Sequence, residues 1–183
     1  MHPDFDNLYR ENATKVARLA FQLTGDRTLA EDVVQETFLA VHRGFGAFRG
    51  EAAPSTWVYR IALRVSVRLR ERARRSANEA LAVATDVRER SDIAGSDPMP
   101  GRSRRRREEG RDDHEELLLA LHALPEELRL VVSLMNLRDL PVAQVATILD
   151  IPEGTVWSRA STARKRMRAW LEARAASPVI PTP

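Results

Sequence analysis

The residues best suited to binding chemistry lie on one stretch near the C-terminus, VAQVATILDIPEGTVWSRASTARKRMRAWL. It has the layout of a helix-turn-helix: a short apolar helix, a tight turn through Asp150-Ile151-Pro152, and a longer basic helix. Val145, Ala146, Leu149 and Ile151 can form an inner surface against Val156, Ala160, Ala163 and Met167, where small alanines let the helices approach closely. That leaves Trp157, Ser158, Ser161 and Thr162 on the outer face, where a helix entering the major groove meets base edges. Arg159, Arg164, Lys165, Arg166 and Arg168 are placed to hold phosphates. Hydroxyls bond several bases, and Trp157 offers one donor and a broad apolar face, so this helix alone specifies its site loosely. A structural hairpin with solvated arginines is the alternative reading. Trp170 reads as packing.

A second basic stripe lies upstream. From Pro54, the first turn of an expected helix, Trp57, Ile61, Val65 and Leu69 share one face, and Arg60, Arg64, Arg68, Arg72 and Arg75 lie off it. Apolar packing on one side and phosphate on the other fits this separation, and so does a solvated face.

The elements that must carry these residues are helical. Phe5 to Leu23 shows apolar residues at three- and four-residue steps, ended by Thr24-Gly25-Asp26. A second helix is predicted from Thr28, capped by a Thr28/Glu31 capping box, to about His42, followed by a loop over 44–53. Four more helices are predicted at Leu117–Leu124, Glu126–Leu137, Val142–Leu149 and Gly154–Leu171. No alternating strand pattern occurs, so the fold class is all-α: two small helical domains, 1–75 and 113–173, joined by a flexible linker at 76–112 and followed by a disordered tail at 174–183. A helix could persist from Glu79 to Val87, and Asp97-Pro98-Met99-Pro100-Gly101 should interrupt any longer one.

Composition narrows the function. In 183 residues the formal net charge is only +3, yet the isoelectric point is about 9.9 because the cations are mostly arginine, clustered at 60–75, 102–107 and 159–168. There is no cysteine, and the four histidines show no ligand spacing, so neither a metal nor another cofactor is expected. Glycine-rich phosphate loops are missing too, which leaves little for an enzyme. No apolar run reaches the roughly 20 residues of a membrane span, and no leader pattern opens the chain, so a cytoplasmic protein without membrane insertion is expected.

Two blocks, AEDVVQETFLAVHRGFGAFRGEAAPSTWVYRIA and LPEELRLVVSLMNLRDLPVAQVATILDIPEGTVWSR, resemble the second and fourth conserved regions of the extracytoplasmic-function class of bacterial sigma factors. The resemblance implies a non-catalytic subunit that brings core RNA polymerase to promoters. Its first domain would dock on the polymerase clamp and open the minus-ten element; its second would bind the duplex minus-thirty-five element. Carried over by position, Asp32, Gln35, Glu36 and Leu39 fall on the clamp-binding helix, although Asp32 and Glu36 could equally solvate a helix whose other side is core. The residues from Phe48 onward fall where a base flipped from the melted non-template strand is captured, with Phe48, Arg49, Trp57, Tyr59, Arg60 and Arg64 as the available lining. Trp57 also fits a core position. An anti-sigma factor is the implied regulator. The rival is a stand-alone helix-turn-helix regulator, which would favour dimers on palindromic sites. Arg64, Pro54, Trp157, Ser161 and Thr162 depart from the usual pattern of the class, so the promoter sequence does not carry over.

Overall fold

The computed structural model describes residues 4–48, 50, 53–89, 109–137 and 140–176, with backbone alone at 47, 81–89 and 109–113. Its helices are α1 (Phe5–Thr24), α2 (Arg27–Gly44), α3 (Pro54–Glu89), α4 (Glu109–His122), α5 (Glu126–Met135), α6 (Val142–Leu149) and α7 (Glu153–Ala176), with a single 3-10 turn at Phe45–Ala47. The described residues contain no strand, as the sequence periodicity predicts. None of these helices is long and apolar enough to cross a membrane.

Local chemistry fixes the ends. Gly25 adopts φ 70°, stops α1, and donates its N–H to the Phe21 carbonyl at 2.8 Å. Asp26 follows at once, and its carboxylate accepts from the Leu29 N–H at 2.8 Å. The N-cap of α2 is therefore Asp26, not the Thr28 of the expected capping box. A carboxylate available two residues earlier reaches the orphan donor first, and Thr28 is absorbed into the first turn. In the helix-turn-helix, Asp150 takes the left-handed conformation at φ 56°, ψ 47°, which its short polar side chain tolerates, and the Ile151 N–H returns to the Ala146 carbonyl at 3.1 Å.

Helix α3 continues 14 residues beyond Arg75, to Glu89, and α4 begins at Glu109, so both edges of the expected 76–112 linker are helical. Residues 76–89 contain no glycine or proline and include four alanines, whose helix propensity outweighs the fading apolar periodicity. The Pro98 interruption and the arginine cluster at 102–107 lie outside the described residues, as does the tail beyond Ala176.

Helices α1 to α3 pack around Val16, Leu19, Leu23, Val33, Val41 and Val58; α5 to α7 pack around Val131, Leu134, Val145, Val156 and Ala160, all buried. The two halves do not stay apart. One apolar cluster runs through both, from Leu19, Tyr59 and Leu63 to Leu134, Ala146 and Ile148. Ile148 is not needed for the inner surface of the helix-turn-helix; it turns toward α3 and shares a cleft with Leu63. Polar contacts rim this seam. The Gln144 amide donates to Ser55 Oγ at 3.0 Å and Thr56 Oγ1 at 2.9 Å. Arg60 donates to the Thr147 carbonyl at 2.6 Å, and Arg70 bonds both the Glu126 carboxylate and, at 3.4 Å, the Leu23 carbonyl.

Leu134→Ala should cost about 3 kcal/mol of unfolding free energy, because the cavity lies in a fully packed core. Leu39→Ala should stay within about 0.5 kcal/mol, its side chain being 54% exposed. Urea unfolding followed by helical circular dichroism distinguishes the two.

Candidate nucleic-acid interface

Helix α7 is split lengthwise. Val156, Ala160 and Ala163 are buried and Met167 is half-buried, at the three- and four-residue steps of one face. Trp157, 53% exposed, opens the opposite arc together with Ser158, Ser161, Thr162, Lys165 and Arg168. The structure thus brings all four sequence-assigned base readers onto one open surface. The Ser158 hydroxyl donates to the Thr155 carbonyl at 3.1 Å and the Thr162 hydroxyl to the Ser158 carbonyl at 2.9 Å. Their protons are directed along the helix, so in this rotamer the outward lone pairs suit amino groups of cytosine or adenine.

Arg164, Lys165, Arg166 and Arg168 are exposed along the same helix. Arg159 differs. It lies beyond the open arc and turns to α5, where its guanidinium sits 3.3 Å from the Glu127 carboxylate with the side chain 31% exposed. This Arg159 bridges two helices in the structure; the sequence named it for its charge, but its helical position sets its direction. Trp170 packs at the far end, with the Arg174 guanidinium 5.4 Å from its ring centroid, and Arg174 also pairs with Glu116 of α4 at 3.5 Å.

At the start of α3, Phe48 and Trp57 form an aromatic pair with centroids 5.0 Å apart. Trp57 is half-buried over Gly44, where an added Cβ would come within 3.0 Å of its ring. Tyr59 is a correction to the sequence reading: at 1% exposure it lies in the core, with no surface for a base. The buried stripe of α3 is broader than the Trp57-Ile61-Val65-Leu69 line, taking in Val58, Tyr59, Ala62 and Leu63, because α3 packs against α1 and α2 on one side and α6 on another. Arg60 is half-buried and bound to Thr147, while Arg64 is exposed at the cleft it shares with Ile148, Leu149 and Asp150. Arg49 lies outside the described residues.

On α2, Asp32, Gln35 and Leu39 are exposed, whereas Glu36 is half-buried and ion-paired with Arg68 of α3. Tyr9 of α1 is 44% exposed, with its ring edge-on to Phe38 of α2 at 4.7 Å. The apolar periodicity of Phe5 to Leu23 accounts for Tyr9 only as part of the stripe of α1. Its phenol ring, which favours half-burial with a wet hydroxyl, is the signal that could have placed it at a surface.

Comparisons with known proteins identify the family. A family model described as Sigma-70 region 2 matches residues 8–76, and one described as Sigma-70, region 4 matches residues 114–167. The chain is 32% identical over 174 residues to the ECF RNA polymerase sigma factor SigE of Mycolicibacterium smegmatis, covering 92% of this chain and 62% of that protein. It is 32% identical to the RNA polymerase sigma-H factor of Pseudomonas aeruginosa, covering 88% of this chain and 82% of that one. It is 34% identical to the ECF RNA polymerase sigma-E factor of Haemophilus influenzae, covering 88% and 84%. In fold it is similar to CnrH in complex with the cytosolic domain of CnrY, with TM-score 0.65 at 21% identity over 92% of this chain and 88% of that one. It is also similar to RpoE in complex with the anti-sigma factor NepR from Bartonella quintana, with TM-score 0.60 at 21% identity over 92% and 97%. With both region matches in order and relatives above 30% identity along most of its length, the chain belongs to the ECF RNA polymerase sigma factors, non-catalytic subunits of transcription initiation.

Proposed function

We propose that this chain docks on core RNA polymerase through α2, reads a duplex minus-thirty-five element with α7, and holds the melted non-template strand of the minus-ten element near the start of α3. The nucleotidyl transfer is left to the polymerase, and the work is done in the cytoplasm. The observation that carries the reading is the open arc of α7, where four potential base readers and a row of cations face solvent while the opposite arc is consumed by packing. Asp32, Gln35, Leu39 and Tyr9 supply a second, separate surface, acidic and apolar, that suits a cationic helix of the polymerase.

In this division, residues 1–75 bind polymerase and the minus-ten element, 76–112 connect, 113–173 bind the minus-thirty-five element, and 174–183 form a tail. Phe48 and Trp57 are the aromatic platform for an unstacked base, with Arg60 one turn on and Arg64 two. The promoter elements lie about 25 base pairs apart, roughly 85 Å at about 3.4 Å per pair. Gln144 of α6 touches the first turn of α3, so the domains must part before both elements can be bound. An anti-sigma factor that holds the closed arrangement is the fitting regulator, as two proteins of similar fold were solved bound to such partners or to a cytosolic domain.

With the chain assembled on core polymerase, S161A/T162A should shift upstream base preference by about 1–3 kcal/mol at the contacted pairs without changing the salt slope. K165Q/R168Q should weaken binding to every sequence and reduce the slope of log K against log salt by about 2. Quantitative binding to a randomised duplex at several salt concentrations reads both, and equal losses on all sequences from both variants would refute the division of roles. Asp32→Lys, which leaves the Glu36–Arg68 pair intact, should lower affinity for core polymerase at least about tenfold with unchanged helical content. An unaltered affinity would remove α2 from the interface.

A further inference from the structure

His122 ends α4 at the seam between the two halves. Its ring lies against the α1–α2 corner, so that a Cβ on Gly25 would come within 2.8 Å of Nε2 and 3.1 Å of Cε1. Nε2 is buried and has no hydrogen-bond partner. Around it stand two guanidiniums. Arg129 of α5 donates to the His122 carbonyl at 3.0 Å, and Arg70 comes from α3, in the other half of the molecule. Glu126 of α5 is engaged by Arg70. At the α1–α2 corner, the Asp26 carboxylate caps α2, and Arg27 lines a groove on the far side, between α1 and α2.

We propose that the seam is a proton-released latch with His122 as the sensing group: the neutral ring seats against Gly25 and keeps the domains closed, and the protonated ring is expelled and lets them part. An imidazolium in this place would have a buried Nε2–H with no acceptor and two cationic neighbours. Burial first, then Arg129, then Arg70, hold the ring below its usual pKa of about 6.5. Parting of the halves removes the Gly25 corner and Arg70, leaving only Arg129, so the open form binds the proton more tightly. The sign follows from linkage. The contribution of His122 to closure is complete above the ordinary value and is lost as the pH falls below it, with the open-to-closed ratio rising up to about tenfold per pH unit in that window.

Closure also covers Ser55, Thr56 and Arg60 with α6. The regulatory meaning rests on reading that turn of α3 as part of the DNA-melting surface; the conformational claim does not.

The chain has no cysteine, so E11C and E172C place one dye on α1 and one on α7 of the 183-residue chain. Single-molecule energy transfer should show a compact state at pH 7.5 and an open-to-compact ratio about threefold higher at pH 6.0, the size one released histidine of ordinary pKa allows. In the same labelled chain, His122→Gln should abolish the step. Because that variant could lose its seating altogether, the His122 ring proton is also titrated by NMR. Its midpoint should lie lower in the parent than in Gln144→Ala, which loosens the seam without touching the histidine. A parent already open at pH 7.5, the same ratio at both pH values, an undiminished step in His122→Gln, or equal midpoints would each overturn the latch. None of these measurements uses DNA or polymerase, so their failure would leave the proposed function standing.

Discussion

The burial of α6 on two sides at once is the constraint on which the rest of the structure depends. An eight-residue helix cannot hold itself together in water and is kept by packing. Val145 and Ala146 anchor it in the helix-turn-helix core, and Ile148 and Leu149 border the cleft to α3. Its polar residues complete the arrangement: Gln144 reaches the hydroxyls of Ser55 and Thr56, and the Thr147 carbonyl receives Arg60. One short helix thereby sets the direction in which α7 presents its outer arc and ties that arc to the half of the chain that bears α2.

The consequence is a molecule whose two proposed DNA-facing surfaces are treated differently. The arc of α7 that carries Trp157 and Ser161 is open, whereas Arg60 at the start of α3 is engaged by the partner domain. A protein built only to hold two readers at fixed spacing would not place them against each other. The seam is rimmed with a few hydrogen bonds and one ion pair around a modest apolar contact, a composition suited to an interface that opens.

Much of this was legible in the sequence, for identifiable reasons. Val156, Ala160 and Ala163 against Trp157, Ser158, Ser161 and Thr162 is a strong three-point-six-residue pattern, and the structure realises it. Three things were not legible. Tyr59 is in the core because α3 packs on three helices, and a stripe read from one sequence assumes a single neighbour. Arg159 pairs with Glu127, a partner 32 positions away that no local periodicity connects to it. The seam joins residues such as Gln144 and Thr56, 88 positions apart, through small polar side chains that look the same whether they face solvent or a neighbouring domain. The cap of α2 failed more locally, because Asp26 and Thr28 both suit a helix start and only geometry chooses between them.

The central claim is that this chain confers promoter specificity on a polymerase that lacks it. Purified core RNA polymerase, incubated with the chain and a pool of random promoter sequences, should yield run-off transcripts that share an upstream and a downstream element, with the chain co-purifying on the polymerase. Selection of duplex DNA by the chain alone, with no binding to core polymerase and no transcripts, would contradict the account.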